Sequence, residues 1–195
     1  MNQPTAQSRR SFESALAELC APTLARVKPA SLFRYQPAPG VDLARRVAHW
    51  DAALSELGVT VRALKTCPRT GAVLVYVYRP GWLGQILADP AVGAFLEQEG
   101  YRPGDAEALL GQLSRRLCCQ EDFPHEIGVF LGYPLEDVVG FIRNRGRNYT
   151  YCGYWKAYGD PARAQQCFAR YKKCEEIYKR LFAGGTPLRR LTVAA

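Results

Sequence analysis

The sequence lacks several patterns that would assign a reaction directly. It has only two histidines among 195 residues, and Val129 occupies the position four residues after His125, so the paired-histidine motif of zinc proteases is absent. No glycine-rich loop ends in Gly-Lys-Ser/Thr, and no G-x-G-x-x-G pattern follows a strand-like run. These absences argue against a zinc protease and against a standard nucleotide-dependent enzyme.

A membrane-spanning segment and an export signal are missing as well. No uninterrupted apolar run approaches the ~20 residues that a membrane helix needs. Residues 1–10 are polar, which predicts a flexible start without a signal core. Seven cysteines, an odd number without regular spacing, favour reduced thiols over a disulfide framework. We therefore expect one domain over residues 1–195, located in the cytoplasm and without membrane contact.

Positive charge is concentrated at one end of the chain. The formal net charge is +8; residues 1–140 contain 14 Lys and Arg against 15 Asp and Glu, and residues 141–195 contain 12 against 3. The excess therefore lies in the last quarter of the chain. Such a segment suits an anionic partner, although a solvated helix face is the simpler interpretation.

Hydrophobic patterning predicts short strands among helices. Runs of β-branched and aromatic residues at 59–65 and 72–78 flank a short loop around residues 67–71, which indicates a hairpin. The second run is apolar on both faces, so we expect it at the centre of the sheet. Further extended segments are predicted at 31–35, 127–131 and 151–158. Amphipathic stretches predict helices at 11–27, 42–57, 82–88, 90–98, 105–118, 134–145 and 160–183. The expected fold class is α+β, a small mixed or antiparallel sheet with a central hairpin packed against several helices.

Two segments carry a family resemblance. Residues 124–142 read PHEIGVFLGYPLEDVVGFI and residues 153–160 read GYWKAYGD, with shorter matches at 20–25, 74–79, 171–174 and 190–193. Together they resemble a bacterial family catalogued as a domain of unknown function, common in anaerobes, over nearly the whole chain. The resemblance implies an intact domain of an uncharacterised type, and it implies no activity, cofactor or site residue.

One hypothesis makes the protein a cysteine hydrolase or acyl-transfer enzyme. Cys20 precedes Pro22 at a helix start, where unpaired N–H groups stabilise a thiolate and lower the pKa of a cysteine. A nucleophilic cysteine needs a base, and His125, beside Glu126, is the candidate. Cys20, His125 and Glu126 would then form the catalytic set, with residues 128–132 lining a pocket. The alternative is that Cys20 is a small buried hydrophobe and His125 a hydrogen-bonded strand-end residue.

The second hypothesis is a non-catalytic binding module. Alternating cations and aromatics can pair with phosphates and stack on flat groups, and this pattern occurs at Arg143, Arg145, Arg147, Tyr149, Tyr154 and Lys156. An anionic ligand or an acidic protein is the expected partner; nucleic acid is less favoured because no RNA-binding signature is present.

Metal and cofactor alternatives have weaker support. The Cys67-Pro68 dipeptide is typical of some haem-responsive sites, but proline is more often simply a turn residue. A zinc site from Cys118, Cys119 and His125 lacks the usual two-residue cysteine spacing. We therefore expect no metal and no cofactor.

Overall fold

A computed structural model describes residues 10–117 and 123–195. The predicted flexible start therefore lies almost wholly outside the described residues, as do Cys118 and Cys119 of the zinc alternative. None of the described helices combines the length and the apolar character that crossing a membrane would require.

The main sheet has three antiparallel strands in the order β1-β3-β2. These strands are β1 (Ala30–Tyr35), β2 (Thr60–Thr66) and β3 (Val73–Tyr78). Both neighbours are antiparallel to β3, with Ala30 and Thr60 each opposite Tyr78, and the β2–β3 register shifts between Ala63 and Lys65. The apolar run at 72–78 thus forms the central strand, as its two-sided hydrophobicity predicts, and the α+β fold class is confirmed.

Helices surround this sheet, and two very short strands form a separate hairpin. The helices are α1 (Phe12–Leu19), α2 (Ala21–Leu24), α3 (Leu43–Ser55), α4 (Pro80–Leu87), α5 (Pro90–Gln98), α6 (Ala106–Arg116), α7 (Ile127–Phe130), α8 (Leu135–Asn144) and α9 (Pro161–Ala183). The hairpin strands are β4 (Tyr151–Cys152) and β5 (Lys156–Ala157), and a 3-10 turn covers Leu188–Leu191. The side chains of Asp42 and Asp160 cap α3 and α9 by accepting backbone hydrogen bonds at the starts of these helices.

The sheet separates two hydrophobic cores. Alternate side chains of β3 point to opposite faces, so Val75 and Val77 enter one core while Tyr76 and Tyr78 enter the other. The first core holds side chains from α1, α2, α3 and α9. The second holds side chains from α4 to α8, and the Tyr76 hydroxyl donates to the carbonyl oxygen of Phe130 within it.

The prediction of a strand at 127–131 is wrong, because this segment forms the single helical turn α7. A short apolar run has the same hydrophobic signal in a buried helix as in a buried strand. Glycine allows α7 to pack tightly on α8: a Cβ added at Gly128 would lie 2.7 Å from Cγ2 of Val138. Gly132, with φ at +75°, then ends the turn in the left-handed conformation that favours glycine.

The segment predicted as extended over 151–158 folds back on itself as the β4–β5 hairpin. Its two faces have different partners. Tyr151 and Ala157 belong to a small cluster with Phe168 of α9, where a Cβ added at Gly153 would lie only 2.2 Å from the Phe168 ring. Cys152 and Lys156 are also paired across the hairpin and alternate with that pair, so they face the α8 side.

Candidate functional site

A cavity of about 390 Å³ lies between α7, α8 and the β4–β5 hairpin; we refer to it as the hairpin pocket. Its volume is within the range of small-molecule sites. The walls are mostly apolar and include Ile127, Leu131, Val138, Phe141 and Trp155. The polar residues on its walls include His125, Asp137, Cys152 and Lys156. Much of this wall comes from residues 124–142 and 153–160, the two segments that carry the family resemblance.

Asp137 fixes the hairpin against α8. Its buried carboxylate accepts hydrogen bonds from Trp155 Nε1 at 2.7 Å and from the backbone N–H groups of Tyr158 and Gly159 at 2.6 and 3.1 Å. Such charge-assisted bonds are stronger than neutral ones. Asp137 therefore positions the Trp155 wall of the pocket, and its carboxylate oxygens are engaged within the protein.

His125 lies on the pocket wall with its imidazole exposed. The ring packs edge-on against Phe141 of α8, with the ring centres 4.7 Å apart. Within residues 10–117 and 123–195, neither ring nitrogen makes a hydrogen bond. The imidazole is therefore free to contact a molecule in the pocket, and the expected strand-end hydrogen bond is not seen among these residues.

Glu126, the carboxylate proposed beside His125, points into the second core. It is buried, accepts a hydrogen bond from the Tyr101 hydroxyl at 3.1 Å and pairs with Arg116 at 3.4 Å. Burial and the neighbouring Glu126 raise the pKa of Tyr101. The Glu126 carboxylate is thus used by Tyr101 and Arg116.

Cys20 stands at the start of α2, as the sequence predicts, but its side chain is fully buried in the first core. Burial raises the pKa of its thiol well above the ordinary value, which outweighs any effect of the helix start. Its polar neighbours are Lys28 and Ser31. The hairpin pocket that holds His125 is walled by side chains of the second core, so the structure does not bring Cys20 and His125 into one site.

Lys28 is a buried cation close to Cys20. Its ammonium lies 5.3 Å from the ring centre of Tyr133 and 5.8 Å from that of Tyr171. These cation–π contacts replace part of the lost hydration. Burial still lowers the pKa of Lys28 to about 8, against the attraction of Glu175.

The basic segment 143–149, which we call the arginine loop, adjoins the hairpin pocket. Arg143, Arg145 and Arg147 are exposed, and in the described part of the chain none of them forms an ion pair. Arg145 and Asn148 have left-handed φ angles of +50° and +57°, an unusual conformation for residues with a side chain. The loop is therefore bent sharply where α8 ends.

Lys156 connects the arginine loop to the pocket. Its ammonium donates to the carbonyl oxygen of Gly146 at 2.8 Å and lies 5.8 Å from the Phe141 ring and 5.1 Å from the Tyr149 ring. Tyr154, also predicted for this surface, points elsewhere: its hydroxyl donates to Glu175 of α9. The structure thus groups Lys156 with Gly146 and Tyr149 of the arginine loop. It separates Tyr154 from them, and Arg143 lines another cavity, against α5.

A larger cavity of about 550 Å³ lies near the start of α4 and is lined by Arg26 and Arg79 among others. The Arg79 guanidinium is buried and donates to the carbonyl oxygens of Thr23, Leu24 and Val193. Arg79 therefore ties three chain segments together, which accounts for its burial without a ligand.

The cysteine of the haem alternative, Cys67, is buried at the start of the loop between β2 and β3. In residues 10–117 and 123–195, no group of three or more His, Cys, Asp or Glu side chains is arranged to hold a metal ion.

Sequence reasoning overlooked Cys152, which is exposed and lines the hairpin pocket together with His125. A signal was present. Cys152 directly precedes the 153–160 segment, and alternation along an extended stretch places it on the same face as Lys156 rather than with Tyr151.

Comparison with known proteins identifies a family without an assigned activity. A search of curated proteins finds no match to this chain, and a search of solved structures finds none either. The sequence profile of a family described as a protein of unknown function (DUF3793) matches residues 16–192, which is most of the chain. The protein therefore belongs to the DUF3793 family.

Proposed function

We propose that the protein binds a small molecule that has an apolar, flat body and an anionic group. The observation that carries this proposal is the hairpin pocket, a mainly apolar cavity with aromatic walls and few polar groups. Pockets of this kind bind small molecules because apolar contact supplies affinity and a few polar groups supply orientation. Phe141, Tyr133 and Trp155 would contact the flat body.

The anionic group is inferred from the charges beside the pocket. Lys156 lies on its wall, and the arginine loop begins two residues after Phe141. Arg145 and Arg147 are exposed in the arginine loop and have no acidic partner among the described residues, so they can pair with a ligand carboxylate, sulfonate or phosphate. Arg143 lines a separate cavity against α5 and adds only to the local positive charge. The anionic-ligand alternative drawn from the sequence is thus the one that the geometry favours.

The cysteine-hydrolase alternative built on Cys20 has less support. A nucleophilic thiol must reach both a base and a substrate, whereas the Cys20 side chain is fully buried and its raised pKa keeps it protonated near pH 7. The Cys20–His125–Glu126 set therefore does not underlie the proposal.

The proposal is tested with an anilinonaphthalene sulfonate dye, which combines a flat apolar body with one negative charge. We expect saturable binding at one site, measured by dye fluorescence in a titration of the folded protein. Phe141→Ala removes one aromatic wall and should weaken binding about tenfold, the usual effect of losing one important apolar contact. Leu181→Ala is the matched control, because Leu181 is an exposed apolar residue on α9 outside the pocket.

The charge contribution is tested separately. Neutralising Arg143, Arg145 and Arg147 together to Gln should weaken dye binding several-fold and reduce its salt dependence. The control is the triple Gln variant at Lys172, Lys173 and Lys179, which removes the same charge from exposed positions of α9. Equal dye affinity in Phe141→Ala, Leu181→Ala and the unmodified protein would contradict the proposal.

A further inference from the structure

Cys152 and His125 line the same pocket, and each is exposed there. We propose that Cys152 is an acyl acceptor, whose thiol takes the acyl group of a thioester bound with its apolar chain in the hairpin pocket. This inference rests on the proposed function for the binding of the apolar chain and adds a covalent step at the pocket's rim.

Cys152 differs from the other four cysteines that the structure describes. Cys20, Cys67 and Cys174 are buried, and Cys167 is partly buried on α9, whereas Cys152 is exposed. Burial also raises the pKa of Cys174 to about 11. Because the thiolate is the attacking species and must reach its substrate, Cys152 is the described thiol best placed to react.

Cys152 shares the pocket wall with two other polar residues, Lys156 and His125. Cys152 pairs directly with Lys156 across the hairpin, and directly opposed side chains lie about 5 Å apart on the same face of an antiparallel pair. The His125 imidazole supplies a base on the same pocket wall.

The titratable residues that line the pocket together with Cys152 belong to several elements. His125 precedes α7, Asp137 lies on α8, Lys156 on β5, and Tyr133 follows α7. The Asp137 carboxylate is engaged by Trp155 and two backbone N–H groups, and burial raises the pKa of Tyr133 to about 12. Among the described residues the His125 imidazole makes no hydrogen bond, so it is the group of this set that is free to accept the thiol proton.

The proposed step balances without a further reagent. The imidazole of His125 accepts the thiol proton of Cys152, and Sγ attacks the carbonyl carbon of the thioester. A new C–S bond forms to Cys152, the C–S bond to the leaving thiol breaks, and the departing thiolate takes the proton back from the imidazolium. The products are S-acyl-Cys152 and the free thiol of the donor.

The experiment incubates the full chain with octanoyl-coenzyme A and measures protein mass and the modified peptide over time. We expect one octanoyl group, located on Cys152. Cys152→Ser should abolish the modification, while Cys167→Ser should leave its rate unchanged. His125→Gln removes the proposed base and should slow acylation about tenfold.

The negative charge of the donor provides a second readout. A neutral octanoyl thioester of N-acetylcysteamine should react more slowly than octanoyl-coenzyme A, and neutralising the three arginines should remove that difference. Equal acylation of Cys152→Ser and the unmodified protein, or a Cys152 rate no higher than that of glutathione, would overturn the inference. Dye binding distinguishes failure of this inference from failure of the proposed function. If the unmodified protein binds the dye but is not acylated at Cys152, only this inference is contradicted. If it neither binds the dye nor is acylated, the proposed function is contradicted as well.

Discussion

Two regions of this protein place a cysteine near a lysine, and they differ in exposure to water. Cys20 and Lys28 lie in or beside the first core, where both side chains are buried. Cys152 and Lys156 pair across the β4–β5 hairpin at the hairpin pocket, where the thiol is exposed. We call the surroundings of Cys20 and Lys28 the closed region and those of Cys152 and Lys156 the open region.

The comparison shows that burial can outweigh the effect of a neighbouring charge. In the closed region, burial raises the pKa of Cys20 and lowers that of Lys28 to about 8, so both side chains are driven toward their neutral forms. In the open region, Lys156 keeps a carbonyl acceptor and two aromatic rings around its ammonium. We therefore assign binding and thiol chemistry to the open region and a structural role to the closed one.

The largest expected difference between the two regions is in the alkylation rates of their cysteine thiols. Iodoacetamide should alkylate Cys152 at least ~1000 times faster than Cys20 at neutral pH, because a core thiol reacts only when the surrounding structure opens at a cost of about 5 kcal/mol or more. Peptide-resolved mass spectrometry measures both rates in one sample. Similar alkylation rates for Cys152 and Cys20 would show that reagents reach Cys20 readily, which would contradict the comparison.

A change at Asp137 should affect the open region most strongly. Asp137→Ala leaves Trp155 Nε1 and two backbone N–H groups without their carboxylate, which should lower the free energy of unfolding by about 3 kcal/mol and abolish dye binding. Thermal unfolding and the dye titration measure these effects. Glu136→Ala is the control, since Glu136 is an exposed neighbour in the same helical turn; an equal loss in both variants would contradict this role of Asp137.

A smaller change in the free energy of unfolding, on the order of 2–3 kcal/mol, should follow from replacing Lys28 in the closed region. Below pH 8 the folded protein carries a buried ammonium, so Lys28→Met should be more stable than the unmodified chain at pH 7. Between pH 8 and the ordinary lysine value of 10.5, the unfolded chain holds the proton that the folded chain has released. The stability of the unmodified protein should therefore rise relative to Lys28→Met as the pH increases.

Urea unfolding of both proteins at pH 7 and pH 10 measures this difference, and the contributions of other titrating groups largely cancel between them. Glu175, whose charge acts on Lys28, is present in both proteins. A stability difference that is constant with pH would contradict the burial effect at Lys28.

Local patterns predicted most of the fold. The central position of β3 follows from its two-sided hydrophobicity, and the starts of α3 and α9 follow from Asp42 and Asp160. Residues 127–131 were mispredicted because five apolar residues do not distinguish a buried turn of helix from a strand. Only the tight packing of Gly128 on Val138, a contact formed in three dimensions, decides that case.

The candidate site was less predictable than the fold. His125, Lys156 and the three arginines were identified from residue type. The structure places His125 and Lys156 on one pocket wall, whereas Arg143 lines a separate cavity against α5. Cys20 was chosen as the candidate nucleophile because its helix start is visible in the sequence, and Cys152 was overlooked. The burial of Cys20 depends on how α1, α2 and α9 pack around it. Local sequence thus shows which groups are chemically capable, and tertiary packing decides which of them water and ligands can reach.

The most direct test of the central claim is protection of Cys152 by a pocket ligand. Alkylation of Cys152 by iodoacetamide is measured with and without a saturating concentration of the sulfonate dye, with Cys167 as the internal reference. If the hairpin pocket is the binding site, the dye slows alkylation at Cys152 about tenfold and leaves the rate at Cys167 unchanged. An unchanged rate at Cys152 while the dye is bound would contradict the account.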